Sequence, residues 1–142
     1  MMISMSRKIF IDTSAFIALT NSSDQYHLTA VDCLNQLRAS GSQFVTTNFI
    51  LDETYTRLRR RAGLKTAIIF GEKIKLSKET KIYTIDKIAE KLAWDIFKKY
   101  EDQPFSYTDC TSFAVMRLKK MREAFCFDKD FRAFGWITLP AV

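Results

Sequence analysis

The chain has 142 residues, 47% of them hydrophobic, which is enough for one core and too short for two ordinary domains; residues 1–142 therefore read as a single domain. Twelve Phe, five Tyr and two Trp supply large buried areas, while four Gly and two Pro leave little for linkers, so a largely disordered chain is excluded. Lys and Arg outnumber Asp and Glu by 22 to 16, a formal charge of +6 that favours a polyanionic partner where it surrounds a site with chemistry of its own.

No apolar run approaches the length of a membrane span, and residues 1–8 lack the apolar stretch of a secretory signal, so a cytosolic protein is expected. Cys33, Cys110 and Cys126 are odd in number and widely spaced, and they read as reduced core thiols.

In chain order, residues 8–11 form a β-branched and aromatic run ending at Asp12, followed by helical periodicity from Ala15 with Thr13 or Ser14 as its cap. Ser23 and Asp24 are candidate caps for a helix carrying Ala30, Cys33, Leu34 and Leu37, which Gly41 stops. Residues 43–46 predict a second strand, and Thr47 or Asn48 caps a helix running into Arg59, Arg60 and Arg61, broken by Gly63. An amphipathic helix over 66–75, a third strand over 81–84 and a helix over 87–99 capped by Asp86 come next. Ser106 and Asp109 have capping-box spacing ahead of an apolar helix at 110–121, and 124–127 reads as a strand ending at Asp128. Strands alternating with helices predict an α/β fold, a mainly parallel sheet covered by helices on both faces, with ligands at the carboxyl ends of its strands.

Asp12 and Asp128 each follow an apolar strand, Asp109 opens a helix, and Glu53 lies one turn into another, so four carboxylates converge on one sheet edge. Converging carboxylates repel unless protonated or bound to a cation, which implies a metal; with no His or Cys cluster, the hard ions Mg²⁺ or Mn²⁺ are expected. Such an ion suits phosphodiester hydrolysis, which requires no protein nucleophile.

Ile11-Asp12-Thr13-Ser14-Ala15 resembles the opening motif of PIN domains, Asp52-Glu53 their second acidic position, Thr108-Asp109 their third and Phe127-Asp128 their fourth, in order across nearly the whole chain. The resemblance implies a three-layer α/β/α fold, Mg²⁺ or Mn²⁺ dependence and endoribonuclease activity, most often as the VapC-type toxin of a toxin-antitoxin pair. It carries Asp12 and Asp109 over as direct ligands, Glu53 as a ligand directly or through water, and Asp128 as the completing acid; Thr13 or Ser14, and Thr108, would orient metal waters. Many relatives have Thr where this chain has Cys126, and Asp130 adds a carboxylate that reads as either a surface residue or a substitute ligand. The resemblance also implies a homodimer and a cognate antitoxin, with the 66–75 helix as a contributor to the dimer interface.

Each acid has a plainer reading. Asp12 is placed to cap the following helix, Asp109 belongs to a capping box, and Glu53 is spaced to pair with Arg57 at i+4. Glu53 is preferred to Asp52 because it borders the buried side defined by Leu51, Thr54, Tyr55 and Leu58. Arg57 and Arg60, a turn or two beyond Glu53, are candidates for phosphate contact, with Lys119, Lys120, Arg122 and Lys129 as a second patch. Phe10, Phe113, Phe125, Phe127 and Trp94 are assigned to the core, and His27 to a local polar role. The competing functions are a noncatalytic nucleic-acid or partner-binding module, a PIN nuclease of RNA processing outside a toxin pair, and a receiver-like domain, for which Lys129 is poorly placed.

Overall fold

The computed structural model describes residues 7–141. Five strands alternate with seven helices: β1 (Lys8–Ile11), α1 (Thr13–Thr20), α2 (His27–Ala39), β2 (Gln43–Thr47), α3 (Asn48–Ala62), α4 (Leu64–Leu76), β3 (Thr80–Tyr83), α5 (Lys87–Lys99), α6 (Tyr107–Leu118), β4 (Glu123–Phe125), α7 (Lys129–Phe134) and β5 (Ile137–Leu139). The strands pair in parallel throughout, in the order β3-β2-β1-β4-β5, and the helices complete a three-layer α/β/α arrangement.

The position of β1 follows from its sequence. Ile9, Phe10 and Ile11 are almost wholly buried, as a strand covered on both faces must be, and they form the middle of the sheet. From β1 the chain steps outward to β2 and β3, then returns to lay β4 and β5 on the other side. The carboxyl ends of β1 and β4 therefore meet at the switch point where an open parallel sheet forms its crevice. Behind that crevice, Phe113 of α6 packs at 5.0 Å from Phe131 and 4.3 Å from Phe134, ring centre to ring centre, which fixes α7 against α6.

Several expected boundaries shift for local reasons. The residues proposed to cap α2 form a turn instead: Asn21 Oδ1 accepts from Ser23 N, and Asp24 Oδ1 from Tyr26 N, so the helix starts at His27. Asp12 itself caps α1, in place of Thr13 or Ser14. The helix expected at 110–121 begins at Tyr107, directly after its Ser106 cap, and ends at Leu118, with Lys120 turning left-handed at φ 57°. β4 is shorter than 124–127, and α7 and β5 follow it. Gly63 separates α3 from α4 at φ 94°, a backbone conformation that favours glycine. Trp94 is not in the core. Ala89, Ala93 and Ile96 make the buried stripe of α5, and Trp94 lies half-exposed beside it.

Candidate active site

Asp12 leaves β1 with its backbone N–H donating to Phe125 O at 3.1 Å, which extends the pairing with β4 by one residue. Its carboxylate folds back over α1, where Oδ2 accepts from Ser14 N at 3.3 Å and Ser14 Oγ at 2.8 Å. Ser14 Oγ also accepts from Phe127 N at 2.9 Å, so one hydroxyl ties the ends of β1 and β4 together. Asp12 is 4% exposed.

Asp109 is delivered by the capping box. Ser106 Oγ accepts from Asp109 N at 3.0 Å, and Asp109 Oδ2 accepts from Ser106 N at 3.1 Å. Asp128 caps α7, its Oδ1 accepting from Asp130 N at 2.9 Å. Carboxylate oxygens of Asp109, Asp128 and Asp130 lie within 4.8 Å of one another. The tight group thus includes Asp130 alongside Asp128, and Asp12 and Glu53 stand outside it. The hydrogen bonds to Asp12 fall on a single oxygen, which fixes the rotamer and leaves the second oxygen to a ligand, while the Asp109 and Asp128 carboxylates, each held by a backbone amide, lie against that of Asp130.

Glu53 is half-buried on α3, and its charge is among the influences raising the pKa of Asp12, while Arg57 approaches it at 3.7 Å. Its neighbour Asp52 is exposed. Arg60 is exposed on the same helix, and Thr108 is half-buried beside Asp109. Thr13 points elsewhere: its hydroxyl donates to Ile50 O at 3.4 Å and accepts from Thr54 Oγ1 at 3.3 Å, joining α1 to α3. Of the two candidate hydroxyls after Asp12, only Ser14 touches an acid.

Burial raises the Asp12 carboxyl to about 6, the charges of Asp128 and Glu53 adding to it against the opposing hydrogen bond from Ser14. Burial likewise raises Asp109 to about 7, with Asp12, Asp128 and Asp130 contributing. None of the ion pairs among the described residues involves Asp12, Asp109, Asp128 or Asp130. Hard oxygen donors, mutually repelling and without a side-chain cation, fit a divalent metal ion. Burial pushes the Cys126 thiol far up, so a neutral sulfur lies beneath Asp128, Sγ at 3.8 Å from its carbonyl oxygen.

Sequence reasoning missed the double role of Ser14; Asp130, read as either a surface residue or a substitute ligand, lies with Asp109 and Asp128. The signal for Asp130 was present in Asp128-Lys129-Asp130-Phe131, an N-cap followed by an acid in the first turn of a helix. His27 has the local role expected, Nδ1 donating to Ala18 O at 2.7 Å, and the three cysteines are free and buried. A cleft of about 510 Å³ opens apart from the acids, between α1, α2 and α4, with Phe16, Leu19, Leu34 and Phe70 in its lining.

The family model for the PIN domain matches residues 9–137. The chain is 38% identical over 132 residues to a protein of Mycobacterium tuberculosis named 23S rRNA-specific endonuclease VapC20, covering 92% of this chain and 97% of that one. The crystal structure of M. tuberculosis VapC20, described as a Sarcin-Ricin loop cleaving toxin, superposes with a TM-score of 0.82 at 37% identity, over 91% of this chain and 96% of that one. FitAcB from Neisseria gonorrhoeae shares the fold at a TM-score of 0.68 and 14% identity, over 92% of this chain and 95% of that one. With its family model matched from β1 to β5 and its acids at the crevice of the parallel sheet, the chain belongs to the PIN-domain family.

Proposed function

We propose that this chain, acting as one domain over residues 1–142, is a divalent-metal-dependent endoribonuclease and the toxin of a toxin-antitoxin pair. Asp12, Glu53, Asp109 and Asp128 hold the metal, Mg²⁺ or Mn²⁺, with Asp130 assisting. The observation that carries this reading is the cluster of Asp12, Asp109, Asp128 and Asp130, the first two buried and the others half-buried, none of which is in an ion pair among the described residues. The chemistry that such an ion supplies is activation of water and neutralisation of charge at the phosphodiester.

The protein's own contribution is orientation. Ser14 holds the Asp12 carboxylate, Ser106 holds Asp109, and the Asp130 backbone amide holds Asp128, so ligand rotamers are set before substrate arrives. Ser14 and Thr108 orient water around the ion, and Arg57 and Arg60 meet the phosphate backbone beyond Glu53 without reading sequence. The relative that is 38% identical is named for 23S rRNA, so a structured rRNA loop is the first substrate to test.

An antitoxin partner is supported by solved relatives such as the VapBC2 complex of Rickettsia felis, which is 7% identical with a TM-score of 0.67 over 92% of this chain and 96% of that one, and the apolar cleft between α1, α2 and α4 suits an inserted segment. A homodimer is supported by Leu64, Ile68, Ile69 and Leu76, which α4 leaves exposed.

The test is cleavage of an RNA carrying the 23S sarcin-ricin loop in Mg²⁺, in Mn²⁺ and in EDTA. Cleavage is expected with either metal, none in EDTA, and a loss of at least about a hundredfold in a folded Asp12→Asn variant. Cleavage that persists undiminished in EDTA or in that variant would rule the assignment out.

A further inference from the structure

Four aromatic rings form a strip that starts on α3, on the helix face that carries Glu53. Phe49 lies one helical turn before Glu53 on α3, and its ring centre is 6.4 Å from that of Tyr107, two residues before Asp109. From Tyr107 the strip continues to Phe97 at 5.7 Å and Trp94 at 6.3 Å on α5, themselves 5.7 Å apart. Trp94 is 50% exposed and Phe97 43%, so neither is consumed by the core.

Exposure sets this strip apart, and its ring angles leave the exposed faces open. Tyr107 stands at 67° to Trp94 and 88° to Phe97, Phe49 is tilted at 58° to Tyr107, and Trp94 at 30° to Phe97. None of these pairs is stacked face to face. Tyr26 and Phe127, by contrast, close on each other at 7° and 4.6 Å, and Phe113 and Phe134 at 18° and 4.3 Å. A tilted, exposed indole retains a π-face for a flat partner. Continuity with the acidic edge and a chain charge of +6 favour a nucleic-acid base over another apolar surface.

We propose that Trp94 and Phe97, linked through Tyr107 to Phe49 one turn from Glu53, form a stacking platform for an unpaired base of the RNA substrate. The inference rests on the endoribonuclease reading and adds to it a preference for loops and single strands, whose bases are available to stack, over paired RNA. Stacking tolerates any base, so the platform selects unpaired structure rather than sequence.

The test uses the Asp12→Asn chain in Mg²⁺ with two fluorescein-labelled probes, a 12-nucleotide single-stranded RNA of mixed sequence and the matching blunt duplex. Adding Trp94→Ala or Phe97→Ala is expected to weaken single-strand binding roughly tenfold. Duplex binding should change less than twofold, Trp94→Phe should retain most of the affinity, and melting midpoints should match the control. In the cleaving chain the same substitutions should raise KM and leave kcat nearly unchanged. Unchanged single-strand affinity, or an equal loss on both probes, overturns the platform. Conversion of a dimer to a monomer by Trp94→Ala in sedimentation, with RNA affinity per chain unchanged, also overturns it and assigns the patch to a second copy of the chain. Failure of the Asp12→Asn control to bind either probe instead overturns the endoribonuclease reading beneath it.

Discussion

The two ends of the sheet treat charge in opposite ways. Where strands begin, acids are paired: Arg7 donates to Glu123 at the start of β4 through Nε at 2.7 Å, and Arg38 reaches Glu79, just before β3, at 3.0 and 3.1 Å from its Nε. Where strands end, Asp109, Asp128 and Asp130 crowd together with Asp12 in electrostatic reach, and none of the four is in an ion pair among the described residues. The titration of the acids diverges accordingly. The hydrogen bond from Arg7 lowers the pKa of Glu123, while burial and neighbouring charge raise Asp12 to about 6 and Asp109 to about 7. One end of the sheet is organised for stability, and the other concentrates repulsion that a bound cation relieves.

The largest expected effect of this contrast is on the metal-free protein. The Asp12 pKa rises from 3.8 to about 6 on folding, so the folded state holds that proton more tightly than the unfolded chain does. The resulting penalty is absent below about pH 4, grows as pH climbs through 6, and is then constant at about 3 kcal/mol. In EDTA, denaturant unfolding should show stability falling from pH 4 to pH 8, with a shallower fall in Asp12→Asn, which keeps an oxygen to cap α1. Mg²⁺ should stabilise the native chain more than the variant. Equal pH slopes in the native chain and the variant would break the comparison.

A smaller effect is expected from Ser14→Ala, because Ser14 touches both strand ends without carrying charge. Losing its bonds to Asp12 and Phe127 should lower stability by about 1 kcal/mol. Cleavage should fall roughly tenfold through a raised Mg²⁺ requirement, with Ser14→Thr restoring most of it. An unchanged Mg²⁺ dependence would leave Ser14 a structural link alone.

Much of this contrast was legible in the sequence. β1 over Lys8–Ile11 and α5 over Lys87–Lys99 appear where periodicity and caps put them, because each carries a complete signal: a buried β-branched run, and an Asp cap ahead of an amphipathic stretch. α7 and β5 went unread because six and three residues are too few to show a period. Asp12 and Asp128 follow strands β1 and β4 and Asp109 opens α6, as strand ends and a capping box put them. The commitment of Thr13 to Ile50 and Thr54 was not legible, since which hydroxyl faces the acids depends on how α1 packs against α3. Trp94 was assigned to the core because it falls among apolar residues; the alanines of α5 make the close contact instead, and the large ring is left at the border.

The smallest effect belongs to the paired end of the sheet. Arg7 and Glu123 are partly solvated, so Glu123→Gln should cost under about 1 kcal/mol at pH 7 and leave cleavage unchanged. Its pH dependence should run opposite to that of Asp12. The Glu123 pKa is lowered on folding, so its contribution is present above the ordinary glutamate value of 4.5 and is lost as pH falls through the lower folded value. The native chain and the variant should therefore differ at pH 7 and converge once pH falls below the lowered Glu123 value, whereas native and Asp12→Asn should converge near pH 4 and separate above it. The two substitutions, one at each end of the same sheet, turn its charge asymmetry into a difference in sign that denaturation curves measure directly.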